Sequence, residues 1–141
     1  DTHALVSYAG KRWVAPLRLA EMTLRAAPNS ANTTAGAGSE MSRAPSADLL
    51  APAGLAYGAA WLSAAPGRVR DALGVHLSVP VLAEAGANAL SAARAAWPIA
   101  DKVARRAALA ASLAPLYRAG ADPGPLRKLV RLLRVRLTGR L

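Results

Sequence analysis

Residues 49–67 read LLAPAGLAYGAAWLSAAPG, nineteen positions without a charge between Asp48 and Arg68. Where this stretch is housed decides the fold. A membrane-spanning helix needs about 20 mostly apolar residues, so the length is just sufficient. The quality is poorer: Ala adds little to insertion, and Pro52, Gly54 and Gly58 each weaken a helix. Two readings stand for 48–67. One is a single transmembrane helix; the other, preferred, is a hydrophobic helix buried among others or lying in a groove. Gly54 and Gly58 form a small-xxx-small pair on one face, the place where a second helix can approach closely. If the segment spans, Arg68, Arg70 and the basic last third favour a C-terminal side facing the negative compartment.

On the N-terminal side lies PNSANTTAGAGSEMSRAPSA, residues 28–47, rich in small and polar residues and without apolar periodicity. It reads as an extended or disordered linker. Asn32-Thr33-Thr34 matches a glycosylation acceptor, but no secretory apolar core precedes it, so no use is expected. GAGSEM, residues 36–41, lacks the GK[ST] of a phosphate loop. Residues 1–27 carry Tyr8, Lys11, Arg12 and Trp13, the two rings read as packing residues. Pro16 then suits the first turn of a short amphipathic helix ending near Ala27. The chain starts at Asp1, not Met, which suggests removal of an organellar transit peptide.

On the C-terminal side, residues 68–121 read as a series of Ala-rich helices. Ser63 and Pro66 open a short one through GRVRDALG. Pro80 opens another, which stops at Trp97 because Pro98 follows. The stretch IADKVARRAALAASLAPLYRAG continues as a helix kinked at Pro115 and capped by Gly120. Residues 122–141 form the last segment, with Asp122 as N-cap and Pro123 as first helical residue. Only RVRLTGRL, at the very end, hints at strand alternation. The expected fold is all-α: short to medium helices, one linker and one hydrophobic helix. With 36 Ala, 21 Leu, one Ile and no Phe, the core is thin, because Ala brings little apolar area at roughly 25 cal/mol per Å². A strongly self-contained globule is not expected.

Charge is distributed unevenly. Residues 1–93 carry 7 basic and 6 acidic side chains; residues 94–141 carry 11 basic and 2 acidic ones. The last third thus holds nearly all of the net +10 and seeks an anionic surface. It closes with LRKLVRLLRVRLTGRL, residues 126–141. Leu126, Leu129, Val130, Leu133 and Leu137 recur at helical spacing and form an apolar docking face. Arg127, Lys128, Arg131, Arg134, Arg136 and Arg140 are the anionic-surface contacts, with Arg136 and Arg140 intruding on the apolar side. Such a helix suits a membrane surface with anionic lipid, a nucleic-acid backbone, or the groove of another subunit with an acidic rim. The third reading accounts for both faces and is preferred.

Chemistry is missing. There is no Cys, so thiolate catalysis, disulfides and Cys-ligated metals are excluded. His3 and His76 are far apart, and the eight carboxylates are scattered singly; no GxSxG or HExxH occurs. No enzyme, cofactor or metal is expected. The reading that follows is a non-catalytic accessory subunit of a large organellar membrane complex, bound to other protein subunits and in part to lipid. The mitochondrial inner membrane is the favoured location, in a respiratory complex or ATP synthase. The alternative is an RNA-binding structural protein of an organellar ribosome, with Arg105 and Arg106 joining the phosphate contacts. A free bacterial membrane-surface protein is a further option.

Overall fold

The structure, a computed structural model, describes residues 2–26, 44–65, 67–69, 78–117 and 123–141. It is all-helical, with no strand among the described residues. The order is α1 (Thr2–Ala9), a π-helical turn (Gly10–Val14), α2 (Ala15–Ala26), α3 (Ala44–Ser63), α4 (Val79–Ala96), α5 (Lys102–Ala107), a 3-10 helix (Ala108–Leu116) and α6 (Pro125–Thr138).

The uncharged stretch is the centre of the molecule. Leu49, Leu50, Ala53, Ala56, Ala59 and Leu62 are all fully buried, and they point in several directions around α3. A helix that is apolar all round belongs inside, and here α1 with the π turn, α4 and the 3-10 helix cover it. No helix among the described residues is long and apolar enough to cross a membrane. In this structure the stretch expected either to span or to be buried is a helix packed among other helices of the chain. The physical reason is composition: Pro52 sits inside α3, and Ala and Gly supply too little hydropathy per turn while permitting close packing.

That close packing occurs at the two glycines. A Cβ on Gly54 would lie 2.7 Å from Val14 Cγ2 and 3.1 Å from the Val14 backbone nitrogen. A Cβ on Gly58 would lie 2.3 Å from the Trp13 ring. The pair thus receives the π turn, not a second regular helix. Trp13 is fixed from two other sides, edge-on to Tyr8 at 5.2 Å and to Trp61 at 5.9 Å between ring centroids. Arg68 lies over the Trp61 ring at 4.3 Å. Tyr8 and Trp13 are packing residues. Opposite them, α4 presents Gly86, Ala89 and Ala93 to the Ala face of α3, with Gly86 placed where a Cβ would meet the Ala59 methyl at 3.3 Å.

Several helix boundaries differ from the sequence reading. Residues 2–14 are helical, so Pro16 does not begin a helix but lies inside a continuous one. A proline there clashes with the carbonyl four residues earlier and lacks the N–H that would bond to it. The π turn just before it accommodates the break: the Ala15 N–H bonds to the Gly10 carbonyl, five residues back. α3 begins at Ala44, inside the expected linker. The remainder of that linker, with the glycosylation triplet and GAGSEM, lies outside the described residues. So do Pro66 and most of GRVRDALG, His76, Gly120 and Asp122. α4 opens with Pro80 in its first turn and ends at Trp97, as expected. The helix after it leaves α geometry at Ala108, before Pro115 is reached. α6 starts at Pro125 behind Gly124, two residues later than expected.

Substituting Gly58 or Gly54 by Ala gains about 1 kcal/mol of helix propensity but forces Trp13 or Val14 out of contact, an overpacking cost of about 1–3 kcal/mol. We expect both variants to melt lower than the parent by circular dichroism. Gly86→Ala, which asks only a slight shift of a methyl, should be near neutral.

Candidate functional site: the last helix and its flanking cleft

α6 is held to the body along its basic side. At about 100° per residue, Lys128, Arg131, Leu132 and Val135 share one face, and that face meets the body. Val135 is buried in the Ala-rich cluster that contains Trp97, Ala104, Ala107, Ala108 and Ala111. Arg131 Nε donates to the Ser112 carbonyl at 3.1 Å, and Lys128 Nζ stands 5.4 Å above the Tyr117 ring. At the C-terminal end Gly139 adopts a left-handed conformation (φ 66°) and its N–H bonds to the Val135 carbonyl. The Trp97 indole N–H then donates to the Gly139 carbonyl at 2.8 Å. RVRLTGRL is therefore helix and cap, not strand.

This mounting turns the leucine stripe outward. Leu126 is 76% exposed, Leu129 53%, Val130 65%, Leu133 48% and Leu137 85%. All five residues singled out as a docking face lie on the side opposite the body. The six cations divide. Arg127, Arg134, Arg136 and Arg140 are exposed, and on the helical projection Arg127 and Arg134 flank the stripe on one side while Arg136 flanks it on the other. Lys128 and Arg131, expected to meet an anionic surface, are turned to the body instead. Their alkyl stems cover apolar surface there while their charged ends find a ring and a carbonyl.

A cleft of about 620 Å³ opens beside α6, between it, α2 and α5. Its apolar walls are Leu24, Trp97, Leu109 and Val135; its cations are Lys102, Arg105, Arg106 and Arg136. Among the described residues no carboxylate lines it. Arg105 is partly committed, since its Nε donates to the Ala100 carbonyl at 2.8 Å. Lys102, Arg106 and Arg136 have no acidic partner among the described residues. The sequence reading named Arg136 as an anionic-surface contact and Arg105 and Arg106 as phosphate contacts of the RNA alternative; nothing in it signalled that Lys102, Leu24 and Trp97 would stand beside them.

The nearest described acids, Asp101 and Glu21, are engaged elsewhere. Asp101 N-caps α5, accepting from the Ala104 N–H at 2.7 Å, and also accepts from Arg25 Nη2. Arg25 bonds Glu21 one turn back on α2 as well, at 2.7 Å. Burial pushes the Asp101 pKa up, but the Ala104 N–H and the Arg25 guanidinium together outweigh it and hold the carboxyl below its ordinary value. The Asp101 hydrogen bond, then that of Glu21, raises Arg25. This bridge fixes α2 against α5 and so sets one end of the cleft.

A second, mostly apolar groove of about 350 Å³ runs between α3, α4 and the 3-10 helix, with Ala56, Leu82, Gly86 and Leu90 in its walls and Ser63 among them. Among its described lining residues the Tyr117 hydroxyl is the one titratable group, and it faces the Tyr57 hydroxyl at 3.4 Å. Among the described residues no three His, Asp or Glu converge, and His3 is exposed. Comparison of the chain with protein-family models, curated proteins and solved structures gives no match.

A depressed carboxylate pKa contributes stability above the unfolded value, and that contribution is lost as pH falls through the folded value. Asp101→Asn retains an N-cap acceptor but removes the ion pair. Both partners are about 40% exposed, so the loss at neutral pH should be a few tenths to about 1 kcal/mol. We expect the parent and the variant to converge in denaturant stability once the pH falls below the carboxylate range. A difference that persists in acid would mean the bridge is not its source.

Proposed function

We propose that this chain is a non-catalytic accessory subunit that docks onto a larger assembly through the outward face of α6. One observation carries the reading: Leu126, Leu129, Val130, Leu133 and Leu137 form a contiguous apolar stripe held away from the body, although the fold had a second, basic face of the same helix to expose. Monomers rarely leave large apolar patches open, and a patch rimmed by polar residues marks an interaction site. Arg127 and Arg134 on one flank and Arg136 on the other select the partner's chemistry. The occupant is an apolar groove with an acidic rim on another subunit. A second copy of this chain is disfavoured, because it would bring the same arginines together in a molecule of net charge +10.

The assembly we propose is one at an organellar membrane, the mitochondrial inner membrane first, in a respiratory complex or ATP synthase. The uneven charge and the apolar α6 face support it. Anionic lipid is a neighbour compatible with the same face. Binding to ribosomal RNA is the alternative. It would use Arg127, Arg134, Arg136 and Arg140 with Arg105 and Arg106, but leaves the leucine stripe without a role.

Because Leu129 and Leu133 are exposed, changing both to Asp should leave the fold nearly as stable, within about 0.5 kcal/mol per site as for ordinary surface positions. The same change should abolish incorporation into the high-molecular-weight complex on native electrophoresis of detergent-solubilised membranes. Retained incorporation would sink the docking proposal. Release of the parent protein by salt or ribonuclease, without detergent, would favour the RNA alternative.

A further inference from the structure

The cleft between α2, α5 and α6 has a division that the docking proposal does not use. One part is apolar, with Leu24, Trp97 and Leu109. Trp97 has its only polar atom tied to the Gly139 carbonyl, so its ring offers the cleft an apolar surface. The other part is cationic, with Lys102, Arg106 and Arg136 unneutralised among the described residues, and Arg105 beside them. The volume, about 620 Å³, falls within the range of small-molecule sites.

From this juxtaposition we propose that the cleft is a binding site for a phosphate group carried on an apolar body, either the headgroup of an anionic lipid or a soluble phosphate ester. Several cations around one space, with no carboxylate among its described lining residues, ask for more than one negative charge, which a phosphate monoester supplies and a single carboxylate does not. A phosphate also accepts hydrogen bonds from several directions at once. The planar fork of a guanidinium bonds to its oxygens in pairs, and the Lys102 ammonium adds a point charge. Inorganic phosphate would leave the Leu24, Trp97 and Leu109 side of the cleft unfilled, so an apolar substituent belongs there. The leucine stripe lies on the outer side of α6, and of the cleft's cations only Arg136 is shared with its flanks.

The test uses the full chain labelled with ¹⁵N and follows the Trp97 indole cross-peak, assigned with Trp97→Phe. Three probes are titrated: inorganic phosphate, dihexanoylphosphatidic acid below its micelle concentration, and hexyl phosphate. Dihexanoylphosphatidylcholine, with no net charge, is the control. We expect saturable shifts with dihexanoylphosphatidic acid or hexyl phosphate, and at least about tenfold weaker binding of inorganic phosphate. Preference for dihexanoylphosphatidic acid would point to a lipid source, and preference for hexyl phosphate to a soluble ester. Lys102→Gln/Arg106→Gln/Arg136→Gln should lose the shift, whereas Arg94→Gln/Arg127→Gln/Arg134→Gln, which removes the same charge from exposed positions outside the cleft, should keep it. If the first triple variant does not fold, Arg136→Gln alone should weaken binding by at least about tenfold, the loss of one charge-assisted contact. Equal losses in the two triple variants would show diffuse attraction and overturn the site. So would the absence of any shift, or equal binding of inorganic phosphate and its esters.

Discussion

The contact of Trp13 and Val14 with Gly54 and Gly58 governs the rest of the architecture, because it is the only kind of contact an Ala-rich helix can use well. Alanine and glycine bury little area each, so stabilisation must come from density: backbones close together and few gaps between atoms. The two glycines remove methyl groups where the π turn passes, and a bulky indole takes the vacated space. The indole is then held by Tyr8 and Trp61. In this way one of only three tryptophans serves as the filler that small side chains cannot provide. On the opposite side of α3, Gly86 and Ala89 repeat the arrangement without an aromatic, helix directly against helix.

Once α3 is surrounded, the remaining apolar surface of the body is limited, and this shapes how α6 can dock. A helix seeking a large hydrophobic seat would turn its leucines inward. The surface offered to α6 instead combines the Ser112 carbonyl, the Tyr117 ring and the shallow Ala-lined hollow taken by Val135. Arg131, Lys128 and Val135 match those three features, with Leu132 packed nearby against the cluster around Leu113 and Tyr117. The stripe of five apolar residues is left over, and the exposed arginines remain at its edges. The mounting of α6 thus follows from the same scarcity of large side chains that makes α3 pack closely.

Much of this architecture was legible in the chain. The all-helical class followed from periodicity and proline placement, and the start of α4 at Pro80 and its stop at Trp97 followed from the chemistry of proline alone. The Gly54 and Gly58 pair was visible as a place of close approach, but its partner was not. The π turn is a tertiary accommodation of Pro16, and a 3.6-residue pattern carries no mark of it. The two-faced character of α6 was equally plain. Which face meets the body was not, because amphipathicity predicts burial of the apolar side without saying against what. Here the body's own surface was better matched to lysine and arginine stems than to leucine.

The cleft shows why such sites escape a linear reading. In sequence Arg105 and Arg106 stand out only as basic residues that could meet phosphates, Lys102 does not stand out, and Arg136 is an intruder on the apolar side of α6. Leu24 belongs to a helix more than seventy residues upstream. Their meeting depends on two non-local ties, Arg25 to Asp101 and the Trp97 indole to the Gly139 carbonyl. The first of these takes up Asp101, the acid nearest the cleft cations in the sequence, and commits it to the α5 cap and to Arg25. The tie that positions the walls therefore also withholds the carboxylate that would otherwise neutralise Lys102 and Arg105. That the cleft's cations find no acidic partner among the described residues is in this sense a consequence of the packing of α2 on α5, and it is this unmatched charge on which the proposed phosphate site rests.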